Sequence, residues 1–401
     1  MTQTKQTVLN IAAASLFGTS VTAPADTDWP AVLDTVKKQN IVSMAYPVIE
    51  KLGIPEDILS EWSIERDKYL ANNARVIGSH LRLHKMMNGA GIPYVILKGV
   101  ASGSYYPDYL LRAYGDVDFL VGKKDYRKVS SLLEADGFSF LRETPRHKEY
   151  IKNHTEYEIH RAVSGIQGRK SRRSFDTFLS NIFDEAKEFR HGDSFCMIPS
   201  DRHNAVILLT HSADHMYGSG LGLRHLMDWA AFAGSMSDEF FASDMKGHLQ
   251  ELGLWRFCCI LTNLGTKYLG LRKCFWAGET DEAFLEYMIE DFFESGDFGR
   301  IYQADLIRNR GGVESLDKLG RLGTIRTFFV LLNERAHKLQ PVSSVPALLP
   351  LGWIFIGMRY IIRMCLGLRT ATQARNLVVR FGDRQDLRDA WRLFETDQRD
   401  E

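Results

Sequence analysis

The stretch that most constrains this chain runs from Tyr94 to Val121, YVILKGVASGSYYPDYLLRAYGDVDFLV. It reads as an apolar run ending at Lys98-Gly99, then a helical turn stopped by Pro107, then a second apolar run opening on Asp116-Val117-Asp118. Successive side chains of a strand point to opposite faces, so Asp116 and Asp118 share one face at the very start of a strand. Two carboxylates held that close repel, and unpaired burial raises the proton affinity of at least one. Divalent cations relieve the repulsion, and Mg²⁺ takes a few carboxylates together with substrate phosphates. Phosphoryl or nucleotidyl transfer is the first chemistry this pattern suggests.

The flanking sequence predicts an α+β protein, with a small mixed sheet between amino- and carboxy-terminal helical regions. Residues 1–90 have helical periodicity, with Asp28-Trp29-Pro30 as a helix start and Gly89-Ala90-Gly91 before Pro93 as a stop. Residues 91–175 change period: apolar strands at Tyr94–Leu97 and Val117–Val121, a helix over Lys124–Asp136 and a strand at Phe138–Leu141. A hairpin follows, with strands His147–Lys152 and Glu156–Val163 around Asn153-His154-Thr155. Residues 176–370 read as helical again, at 205–233, 239–269, 281–298 and 324–338, and 371–401 as a charged tail with a helix near Leu387–Phe394.

Fifty basic and fifty acidic residues among 401 leave no global field to attract a long polyanion, so nucleic acid is not the favoured partner. The five cysteines have no metal-finger spacing, which fits a reduced, cytoplasmic protein. Residues 8–23 are expected to form an amphipathic first helix rather than a cleaved signal. The apolar run at 348–368 is interrupted by Arg359 and Arg363, so a buried or partner-facing helix is expected in place of a membrane span.

Around the two aspartates the sequence offers a set of candidate partners. Gly99 would let a phosphate approach backbone amides beside Lys98. The Arg112 guanidinium suits a phosphate in bidentate fashion. Alternation along the second hairpin strand puts Glu156, Glu158 and His160 on one face, and a third carboxylate there is what a two-metal site needs. His211 and His215 share a helix face, yet HSADH lacks the HExxH glutamate and no third ligand is evident. The readings are an interhelical hydrogen-bonded contact, packing toward a nucleotide cleft with Arg224 and Asp228, and a structural zinc pair. The run Arg169-Lys170-Ser171-Arg172-Arg173 is read as a solvated loop, with a phosphate or RNA clamp as its functional alternative.

The order LKG, tyrosine-proline, R…GDVDFLV and EIH resembles the uncharacterised nucleotidyltransferase family within the polymerase-β-like superfamily. The similarity extends to a helical segment with two histidines, an arginine and an aspartate, here His211, His215, Arg224 and Asp228. His225 stands where that family often has leucine. The resemblance implies that Asp116 and Asp118 ligate two Mg²⁺ ions and that Glu158 ligates one and acts as general base. Lys98, Gly99 and Arg112 would hold the triphosphate. The wider superfamily has a glycine-serine pair after its first strand; Lys98-Gly99 occupies that place here, and Gly103-Ser104 is the alternative. The implied reaction moves a nucleoside monophosphate from an NTP to a hydroxyl on an unidentified acceptor, a small molecule, peptide or protein. The competing functions are a non-catalytic nucleotide-binding or protein-interaction module on the same fold and a toxin-type RNA nucleotidyltransferase.

Overall fold

Four helices precede the sheet: α1 (Gln3–Phe17), α2 (Trp29–Lys38), α3 (Val42–Ile49) and the 34-residue α4 (Glu56–Gly89). The computed structural model describes residues 1–144, 147–163, 169–217 and 220–297, together with Pro350, Leu351, Trp353, Ile354 and Met358. Asp28 caps α2 by accepting from the Ala31 amide at 3.0 Å, with Pro30 in the first turn, as its sequence predicts. Val32, Leu33 and Val36 form the buried stripe of that helix. In α1, Val8, Leu9 and Ile11 are fully buried.

The sheet contains β1 (Tyr94–Ile96), β2 (Val117–Val121), β3 (Ser139–Glu143), β4 (His147–Lys152) and β5 (Thr155–His160). Its order is β1-β2-β5-β4-β3, with β2 and β5 parallel and every other pair antiparallel. The short helix α5 (Val100–Gly103) follows β1, and α6 (Tyr126–Ala135) connects β2 to β3. Residues of β2 and β5 alternate in environment. Val117, Phe119 and Val121 join Tyr157 and Ile159 in a core built with Val76, Ile77 and Leu83 of α4 and Val129 and Leu133 of α6. Asp118, Glu158 and His160 take the opposite face. The period of two thus separates a dry packing face from a chemical face.

The β4–β5 turn is Asn153-His154, both at positive φ (50° and 60°), so β5 begins one residue earlier than the sequence predicts. Positive φ at two central residues matches the right-handed twist of a hairpin, and Asn tolerates it well.

Two segments differ from expectation. The basic run at 169–173 opens a helix, α7 (Arg169–Phe178), in place of a loop. Within the region read as wholly helical lies a second hairpin, β6 (Lys187–His191) and β7 (Ser194–Ile198). Phe189, Cys196 and Ile198 insert its inner face into the same core as the sheet, so burial overrides the weak local signal. After it come α8 (Asp201–Tyr217), α9 (Leu223–Ser235), α10 (Lys246–Glu251), α11 (Trp255–Leu269) and α12 (Glu282–Ser295).

The chain divides into two compact units, Met1–Ile301 with Phe394–Glu401, and Tyr302–Leu393; all the elements above belong to the first. The helices expected at 324–338 and 387–394, and most of the apolar run at 348–368, lie outside the described residues. Among the described residues no helix is long and apolar enough to cross a membrane.

Candidate active site

The parallel register of β2 and β5 sets Asp118 directly beside Glu158. Asp116, two residues earlier, falls on the same face just before β2 begins. One carboxylate oxygen from each of Asp116, Asp118 and Glu158 lies within 4.8 Å of the others, a spacing that shared divalent cations fit. Asp118 is only 1 % exposed, yet both of its oxygens are engaged. Lys98 Nζ lies 2.8 Å from Oδ2, and His160 Nε2 lies 2.7 Å from Oδ1.

These contacts set opposite proton affinities on the two aspartates. Burial alone would raise the Asp118 pKa, but the charges and hydrogen bonds of Lys98 and His160 outweigh it and hold the carboxyl well below its ordinary value. The resulting negative charge is the largest influence on Asp116, whose pKa is pushed up to about 7; burial adds to that rise, and Lys98 opposes it. Crowded negative charge of this kind is what a cation relieves, and the oxygen-only donor set suits Mg²⁺. The carboxylate trio therefore fits the metal that the sequence implies.

A pH dependence follows. Without a cation, a carboxyl whose folded pKa exceeds its unfolded value loses stabilisation as pH rises through that window, here from about 4 to about 7. A Mg²⁺ ion held by this trio would take the ionised form, so below pH 7 it would displace a proton and its affinity would fall by up to ~10-fold per pH unit. Thermal melts in chelator and in excess MgCl₂ should show a larger Mg²⁺ stabilisation at pH 8 than at pH 6. Equal shifts at both values would remove Asp116 from the cation site.

The backbone before the trio is fixed from α4. Buried Asn73 donates to the Leu110 carbonyl at 2.8 Å and accepts from the Tyr114 amide at 3.1 Å, while Asn72 donates to the Tyr114 carbonyl at 2.7 Å. Gly99 sits at φ 55°, and a Cβ there would stand 2.7 Å from His80 Cε1. His80 is fully buried on α4, and that burial drives its pKa down to about 3. Positive φ and this contact together demand glycine. Gly99→Ala is expected to destabilise the fold by about 1–3 kcal/mol, read from the urea midpoint. A neutral result would mean that His80 yields.

Other predicted residues have different surroundings. Arg112 does not join the carboxylates: its Nε and Nη2 each lie 2.7 Å from an oxygen of Asp228, both residues being buried. That fork is thus committed to a helix–loop tie, which Tyr106 completes by donating to Asp228 at 2.6 Å. Arg224 pairs with Asp297 at 3.0 Å. Ser104 Oγ donates to the Ala101 carbonyl at 2.9 Å, and Gly103 packs under the Tyr114 hydroxyl. Glu156 lies with Glu149 and Glu158 in an acidic cluster, and Glu149 raises its pKa after burial does.

Sequence reasoning missed the contribution of β4. His147 lies 2.8 Å from the buried Glu149 and 3.7 Å from Glu158, and His160 lies 3.3 Å from the same Glu158. A polar file, Glu149–His147–Glu158–His160–Asp118, therefore crosses the chemical face. The signal was available: His147 and Glu149 alternate within a predicted strand opposite the EIH segment.

Residues 25–270 match the family described as uncharacterised nucleotidyltransferase. The chain belongs to that family. The match holds α2 through α11, and with them the carboxylate trio, Lys98 and the histidines of α8 and α9. Family membership supports nucleotidyl transfer as the general function of the chain and implies a nucleotide substrate. No curated protein matches the chain.

Proposed function

We propose that the protein is a Mg²⁺-dependent nucleotidyltransferase that moves a nucleoside monophosphate from an NTP to an acceptor hydroxyl and releases pyrophosphate. The observation that carries this reading is the in-register pairing of Asp118 with Glu158 on parallel strands, with Asp116 on the same face. Asp116, Asp118 and Glu158 would hold two Mg²⁺ ions, which neutralise charge on the attacking and leaving oxygens when bound.

Each protein group then has a defined part. Glu158 takes the proton of the acceptor hydroxyl. The acceptor oxygen forms its bond to the α-phosphorus, the bond from that phosphorus to the β-bridging oxygen breaks, and pyrophosphate leaves with the electron pair. His160, within 2.7 Å of Asp118 and 3.3 Å of Glu158, orients both carboxylates. Lys98, 26 % exposed, would exchange its pair with Asp118 for a triphosphate oxygen. Gly99 holds the positive-φ backbone that packs on His80 beside Lys98, and Arg112, Arg224 and Asp228 act by holding the loop and helices. The cytoplasm, where NTPs are plentiful, is the natural compartment.

The test incubates the full chain with each α-labelled NTP, Mg²⁺ and candidate acceptors, with Asp118→Ala as control. Label should move to an acceptor, or to the protein itself if the acceptor is a protein side chain. Pyrophosphate release untouched by the substitution would sink the assignment.

A further inference from the structure

The histidine pair of α8 acquires a third member that its own helix does not supply. His225, in the first turn of α9, brings its ring to 5.6 Å from that of His211 and 5.0 Å from that of His215, centroid to centroid. His211 and His215 themselves stand 4.5 Å apart, edge to face. One ring nitrogen from each of the three lies within 4.8 Å of the others. Three imidazoles converging from two helices have the donor number and donor type of a His₃ metal site, with a fourth position left for water or a substrate oxygen. We infer that His211, His215 and His225 bind a single transition-metal ion, Zn²⁺ by donor chemistry, separate from the Mg²⁺ carboxylates.

The surroundings favour the form of imidazole that ligates. Burial lowers the His211 pKa well below its ordinary value, that of His215 to about 2 and that of His225 to about 3, with the Lys98 and Arg224 charges adding to the effect. The two nearby cations do not forbid a dication, because each is paired: Lys98 with Asp118 at 2.8 Å and Arg224 with Asp297 at 3.0 Å. Imidazole ligands favour Zn²⁺, Cu²⁺, Ni²⁺ or Fe²⁺ over Mg²⁺, whereas the all-oxygen Asp116–Asp118–Glu158 set suits the abundant Mg²⁺. One contact an ion must compete with is the Gly222 amide, which donates to His225 Nδ1 at 3.3 Å, a long hydrogen bond. Such an ion would join α8 to α9, the helix whose Asp228 receives Arg112 from the loop before the catalytic aspartates.

The site is tested on the metal-free full chain, titrated with Zn²⁺ against a chromophoric chelator in excess Mg²⁺, and in parallel with Co²⁺ followed by its visible absorption. One zinc per chain is expected, and cobalt should give the intense bands of a four-coordinate site. His211→Gln, His215→Gln and His225→Gln should each weaken zinc by about 100-fold or more, and Asp118→Asn should leave it unchanged. Zinc lost in Asp118→Asn but retained in the histidine variants would assign the ion to the carboxylates and overturn the proposal. So would a folded wild type with no stoichiometric zinc or no cobalt spectrum, a result that stands even where a histidine variant fails to fold. The readout is metal binding, so its failure leaves the nucleotidyl-transfer assay informative, and the reverse also holds.

Discussion

Asp118→Asn is expected to lower nucleotidyl transfer by about 10³-fold or more while leaving the protein folded. The amide is nearly isosteric and keeps an acceptor oxygen for Lys98 or His160, but it removes the charge on the face that two cations would share. The fold should tolerate the change because Lys98, 26 % exposed, can turn toward water when its partner loses charge. A second consequence separates charge from shape. The Asp116 pKa is held near 7 first by the charge of Asp118, so in Asp118→Asn it should fall toward the ordinary carboxylate range. The loss of stability expected in chelator from about pH 4 to 7 should then disappear. Carboxylate NMR or the pH dependence of the melt reads this directly. An Asp116 that still titrates near 7 in the variant would mean that burial and Glu158 set its affinity, and the case for repulsion from Asp118 would fail. Activity within tenfold of wild type would remove the metal-dependent mechanism.

The sheet and its chemical face were legible for a specific reason. Strand alternation fixes which residues share a face, and the spacings Asp116–Asp118 and Glu156–Glu158–His160 are set by that period alone. The same rule predicts the core face, Val117, Phe119, Tyr157 and Ile159. What alternation within one strand cannot give is registry between strands. That Asp118 pairs with Glu158, and Glu149 with Glu158 from the other side, depends on a parallel crossover and a hairpin whose lengths fix the alignment. His147 and Glu149 were therefore missed as partners although their strand was found. The β6–β7 hairpin was missed because short strands within an apolar helical region carry little signal of their own; their stability comes from contact with the sheet core. His225 departs from the family pattern in the sequence, yet its approach to His211 and His215 rests on how α8 and α9 pack. Arg112 shows the remaining limit. An arginine four residues before a paired-aspartate motif has the chemistry of a phosphate ligand, and only the tertiary structure reveals the aspartate 116 positions away that takes both of its donors.

That last reassignment carries the second large effect. Asp228→Ala or Arg112→Ala is expected to destabilise the protein by about 3–5 kcal/mol, because each leaves an uncompensated charge in a dry interior. Arg112 is 4 % and Asp228 6 % exposed, so water cannot replace the lost partner without local opening. Asp228→Ala also strands the Tyr106 hydroxyl, which donates to the same carboxylate at 2.6 Å, and it should be the worse of the two. Burial would raise the Asp228 pKa, but Arg112 outweighs it and holds the carboxyl below its ordinary value. The pair's stabilisation is therefore complete above about pH 4 and is lost as pH falls through the depressed folded value. Arg112→Lys should recover little, since an ammonium cannot span both carboxylate oxygens as the guanidinium fork does. Arg112→Met with Asp228→Leu should recover most of the stability by removing both charges together. Urea denaturation of the four variants and the wild type decides the matter, provided Mg²⁺ and NTP are absent. If Arg112 instead served the triphosphate, Arg112→Ala would raise KM for NTP with a loss below about 1 kcal/mol, and the double apolar variant would gain nothing over it. A stability cost that the apolar pair repairs, with KM unchanged wherever the fold is intact, is the outcome the buried bidentate geometry requires.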